Sequence, residues 1–120
     1  MFTVGQSLIP SGTLVTGSIV RWGYQRGGNT VTDKNIRAYF GGAQVGIPDT
    51  FNTTPFAERS ITMRVLNSAT GCCPNLDNSN ASGQQFTAIN TAVDNIAALT
   101  MQLTAPQLFS VVFGHEISWR

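Results

Sequence analysis

The sequence predicts an all-β protein built from short strands in a closed or double-sheeted arrangement. Two observations carry this, and the low charge sets a third bound. Apolar and polar residues alternate with a period of two in several runs. Turn-forming residues fence each run. Charged residues are 11% of 120 residues, against roughly 25% in an ordinary soluble domain. A chain of this length has room for one domain, residues 1–120, with one genuine core.

"GSIVRWGYQ" is the first clear strand, with Val20, Trp22 and Tyr24 on one face and Ile19 and Arg21 on the other. "QRGGNTVTDKN" follows and has the composition of a turn. "NIRAYF" sets Ile36, Ala38 and Phe40 against Arg37 and Tyr39. Gly41-Gly42 then reads as a hairpin turn, where glycine supplies positive φ. "GIPDTFNTTPF" holds two prolines and is expected to be a long connection. "RSITMRVLNS" alternates Ile61, Met63 and Val65 with Thr62 and Arg64, and "ATGCCPNLDNSNASGQ" is the largest loop signal.

Phe86, Ile89, Val93 and Ile96 fall at helical spacing, with Ser82 as a candidate cap. The weak helix formers between them favour a strand over "FTAINTAV" and a turn at Asp94-Asn95. In "AALTMQLTA", Leu99, Met101 and Leu103 alternate with Thr100 and Gln102. The last run, "QLFSVVFGHEISWR", is β-branched and aromatic and is expected to be tied into a sheet.

Catalytic, metal and cofactor constellations are not found. Gly41 and Gly46 have the spacing of the first two glycines of a phosphate loop, but Ile47 and Pro48 stand where Lys and Ser or Thr are needed. His115 is the only histidine, and nothing like a nucleophile elbow surrounds Ser110 or Ser118. "NLDNSNASG" is oxygen-rich but lacks the closing Glu of a calcium loop. Cys72 and Cys73 are too few for a zinc site and read as free thiols in a loop. The sequons at Asn52 and Asn80 read as chance. The chain is therefore expected not to be an enzyme, with catalytic residues none, cofactors none and metals none.

Seven basic residues nearly cancel six acidic ones, giving a net charge of +1. So neutral a surface resists association weakly, which points to life in an assembly. The six arginines are scattered singly and offer no basic stripe for nucleic acid. No apolar run approaches the roughly 20 residues that cross a bilayer, and no secretion signal is visible, so synthesis is expected in the cytoplasm. Phe2, Val4, Leu8 and Ile9 are apolar residues outside any clear strand, forming either an N-terminal arm over residues 1–9 or the first strand. With Trp119, they are the candidates for contact with another chain.

The order "IPSGTLVTGSIVRWGYQ", "KNIRAYFGGAQV", "RSITMRVLNSATG", "TAINTAVDNIAALTMQLTA" and a long closing strand resembles a set of tailed-bacteriophage structural domains, over residues 8–119. The resemblance implies an eight-stranded jelly-roll β-sandwich of the tumour-necrosis-factor-like type. It implies a capsid cement, or decoration, protein that bridges neighbouring major capsid subunits on the outer capsid surface of the virion. It also implies a homodimer or homotrimer. The alternative it allows is a head-fibre or tail-appendage domain that binds a receptor or glycan.

Overall fold

The computed structural model describes residues 2–28, 33–51, 54–73, 85–103 and 110–120, with backbone alone for residues 2, 28, 54–55, 103 and 110–114. These residues form strands and turns, with no helix among them. The strands are β1 Phe2–Ile9, β2 Ile19–Gly28, β3 Lys34–Phe40, β4 Ala43–Phe51, β5 Thr54–Asn67, β6 Thr70–Cys73, β7 Gln85–Ala88, β8 Asn95–Leu103 and β9 Ser110–Trp119. The described residues thus hold nine strands where eight were expected. They make two antiparallel sheets, β1-β8-β3-β4 and β7-β6-β5-β2-β9.

The alternation in the sequence decides which side chains the sheets enclose. Val20, Trp22, Ile36, Ala38, Phe40, Ile61, Met63, Val65, Leu99 and Met101 all face inward and are buried. Fully burying such a side chain contributes about 1.5–3 kcal/mol, so this row is the main stabilising term. The edges of the two sheets approach each other in pairs, β4 beside β7 and β1 beside β9. Thr87 Oγ1 donates to the Gln44 carbonyl at 3.4 Å across the first seam. Each edge thus shields another from open solvent.

Several expectations are corrected. Of the two readings of the N-terminal residues, the first strand holds for residues 2–9: β1 pairs with β8 from Phe2↔Met101 to Ile9↔Asn95. The stretch read as a long connection is mostly β4. Pro48 misled because β4 is an edge strand, and Gly46, Ile47 and Pro48 bulge opposite the single Arg37. Gln25–Gly28, read as turn, continues β2 and pairs with both β5 and β9.

Residues 86–88 are strand as expected, but the turn falls at Thr91–Val93, and Asn95 already opens β8. The side chain of Asn95 sets this turn, donating to the carbonyls of Asn90 and Val93 at 2.9 and 3.0 Å. The Gly41-Gly42 hairpin is as expected, with φ of 59° and 87°. Cys72 and Cys73 lie in β6, not a loop. The calcium-like run and the Asn80 sequon lie outside the described residues, as does Asn52.

Candidate functional site

The inward face of β2 carries more than apolar residues. After Val20 and Trp22 the alternation brings Tyr24 and then Arg26 inside, and β4 brings Asp49 and Phe51 to meet them. The Tyr24 hydroxyl donates to Asp49 Oδ2 at 2.6 Å. Arg26 Nε donates to the same oxygen at 3.2 Å and Nη2 to Oδ1 at 3.4 Å. The guanidinium also lies 4.7 Å from the centroid of the Phe51 ring, and Lys34 Nζ lies 5.8 Å from it. Arg26 is 4% exposed. A buried cation needs a paired anion, and Asp49 supplies it.

Burial, and then the Asp49 charge beside it, raise the Tyr24 hydroxyl pKa well above its ordinary value. Burial lowers the Lys34 ammonium pKa, with the Asp33 carboxylate opposing that shift. A phenol that holds its proton so firmly, with its O–H already donated to a carboxylate, is poorly suited to proton transfer. The cluster is a structural lock at one end of the core. Sequence reading missed it because Arg26 and Asp49 lie in segments taken for turn and connection.

The outer face of the same strand is different. Gly23 leaves a gap between Arg21 and Gln25, and the Arg21 guanidinium fills the space a Cβ would occupy there. A cleft of about 270 Å³ opens over it, with Glu58, Arg59, His115 and Glu116 among its walls. Beside it, sharing Gln25 and Glu58, is a second depression of about 200 Å³ walled by Phe56. Gln25 Nε2 donates to Glu58 Oε1 at 3.4 Å. His115 and the two glutamates all border the cleft. The hydroxyl-bearing residue in its lining is Tyr24, whose hydroxyl is turned to Asp49. His115 itself packs against Gly5 of β1, where any side chain would collide with the imidazole. Among the described residues no group of three His, Cys, Asp or Glu is placed to hold a metal ion.

The five residues expected to contact another chain separate on the structure. Ile9 is 1% exposed and belongs to the core, so it is withdrawn. Val4 and Trp119 are half-buried and pack against that core. Leu8 stands out at 52% exposed, paired across β1 and β8 with Ile96, itself 42% exposed. Phe2 lies in β1 with its side chain outside the description. Ile96 was missed because it fits the helical spacing of Phe86, Ile89 and Val93 as well as the alternation of β8, and its pairing with Leu8 decides for the latter.

The outer face around this pair carries Gln6, Ala98, Tyr39, Thr100, Gln102 and Asn35. Arg37 is its charged member, and its Nη1 donates to Gln102 Oε1 at 2.6 Å. No helix among the described residues is long and apolar enough to cross a membrane. Comparison of the chain with protein-family models, curated proteins and solved structures finds no match.

Proposed function

We propose that this chain is a structural capsid cement protein of a tailed bacteriophage and acts without catalysis. It binds the outer capsid surface through the exposed face of the four-stranded sheet and bridges neighbouring major capsid subunits as a homodimer or homotrimer. The observation that carries this reading is the Leu8–Ile96 pair, exposed on a sheet face whose Arg37 is held by Gln102. Such a face loses little charge solvation on docking and gains from apolar burial. A stable interface of this kind buries about 2,000 Å² or more. Binding only the expanded shell would favour that state by mass action.

The fold in this reading is a jelly roll. What supports it is the long-range pairing within each sheet, β1 and β3 on either side of β8 in one and β9 beside β2 in the other. The test is to incubate purified protein with expanded shells and count bound copies. Binding in proportion to the capsid lattice, lost in Leu8→Asp and Ile96→Asp, is expected. A handful of copies per virion, or undiminished binding by both variants, sinks the reading. The appendage alternative draws support from the cleft over Gly23.

A further inference from the structure

The geometry points to a saccharide-binding site on the outer face of β2, for an uncharged sugar, with Phe56 as its apolar platform and the Gln25–Glu58 pair as its main polar contact. Phe56 is 56% exposed although its ring sits where a Cβ at Gly27 would be. A glycine beneath lets the aromatic ring settle onto the sheet while much of its surface remains accessible. Directly beside it, Gln25 and Glu58 present an amide and a carboxylate already aligned by their own hydrogen bond. Four residues further along the strand direction, about 13 Å away, the cleft over Gly23 offers the Arg21 guanidinium and the Glu116 carboxylate. The two depressions share Gln25 and Glu58 and so adjoin each other on this face.

The chemistry selects the ligand. Sugar hydroxyls both donate and accept, which suits a row of planar groups of both kinds. The C–H face of a pyranose suits an exposed ring. The walls carry arginines and glutamates together, so an anion attracted by Arg21 meets Glu58 and Glu116 as well. Nucleic acid is disfavoured for the same reason. An extended peptide would need unpaired backbone, yet β2 is hydrogen-bonded on both sides, to β5 and to β9. The site does not depend on the chain being a cement protein, and neither reading fails with the other.

The test has two stages. The intact chain is first probed on an array of immobilised neutral and sialylated oligosaccharides. Methyl glycosides of glucose, galactose, mannose and N-acetylglucosamine are then titrated into the ¹⁵N-labelled protein. Binding of neutral sugars is expected, with amide shifts at Gly23, Gln25, Gly27 and Glu58. Phe56→Ala should weaken binding about tenfold, Phe56→Tyr should retain it, and Arg64→Ala on the same sheet should leave it unchanged. Phe56 is exposed, so its variants test binding without threatening the fold, and Gln25→Ala supplies a second, independent loss. The inference is overturned by no binding to any neutral sugar, by binding confined to sialylated members, or by shifts elsewhere that Phe56→Ala does not alter.

Discussion

Asp49→Ala should be among the most damaging single substitutions in this chain. The carboxylate accepts the Tyr24 hydroxyl at 2.6 Å and two guanidinium nitrogens of Arg26 at 3.2 and 3.4 Å. All three side chains are buried. Removing it takes the anion from a cation that cannot reach water without opening the sandwich. Losing one partner of a buried pair costs about 3–5 kcal/mol, and the stranded phenol alone about 1–3 kcal/mol. These overlap, so about 4 kcal/mol is expected. Stability near 0.1 kcal/mol per residue gives roughly 12 kcal/mol for a chain of this size, so the variant should fold with a third of its stability gone. Urea unfolding measures this as a fall in midpoint of about 2 M for a slope near 2 kcal/mol/M. The compensating pair Arg26→Met with Asp49→Leu replaces both charges and should recover most of the loss. A loss below about 1 kcal/mol for Asp49→Ala, or a double variant no better than the single one, would refute the reasoning.

Three further expectations concern the same core. The raised Tyr24 pKa means the folded state holds the proton more tightly than the unfolded chain, whose phenol titrates near 10.0. That stability is fully present below pH 10 and falls above it by about 1.4 kcal/mol per pH unit. Urea melts in alkaline buffers should show this slope, and Tyr24→Phe should flatten it. Gly46 has a φ of +69°, and a Cβ there would stand 2.8 Å from the buried Cys73 Sγ, whereas Gly42 at +87° meets nothing within 4 Å. Gly46→Ala should therefore cost about 2–4 kcal/mol and Gly42→Ala about 1 kcal/mol, with Cys73→Ala restoring part of the first in a thermal melt. Cys72 and Cys73 are 5% and 1% exposed and project to opposite faces of β6. Ellman's reagent should react slowly with the native protein and rapidly with both thiols in urea, and reductant should leave the melting temperature unchanged.

The core was legible because period-two alternation is read directly from side-chain polarity. Val20-Trp22-Tyr24, Ile36-Ala38-Phe40 and Ile61-Met63-Val65 needed no tertiary information. The failures share a cause. At Arg26 and Asp49 the inward positions are charged, so the pattern looks broken where the strand in fact continues. At Ile47-Pro48 a bulge on an edge strand imitates a loop, because an edge tolerates a missing donor. At Ile96 one residue satisfied two periods, and only the partner Leu8, far away in sequence, decides between them. The fold class lay in local alternation. The lock and the Leu8–Ile96 face lay in pairings that span most of the chain.

The two faces of β2 explain why one strand can serve both stability and recognition. Its inward residues end in the Tyr24–Asp49–Arg26 network, which fixes β2 against β4 of the opposite sheet. From Arg21 on, its outward residues alternate side chains with glycine: Arg21, Gly23, Gln25, Gly27. Glycine in a strand interior normally weakens it, by roughly 0.5–1 kcal/mol relative to Ala. Here β2 is central, bonded to β5 and β9 and anchored by buried charge, so the sheet can carry that cost. In return each glycine leaves a gap that another group occupies, the Arg21 guanidinium at one and the Phe56 ring at the other. A rigid strand with gaps holds these groups in fixed positions, which is what a shallow binding surface requires. Asp49→Ala should accordingly loosen the outer face as well as the core. If saccharide shifts at Gly23 and Gly27 persist at full size in that variant, the inner lock and the outer platform are independent, and the coupling between the faces is wrong.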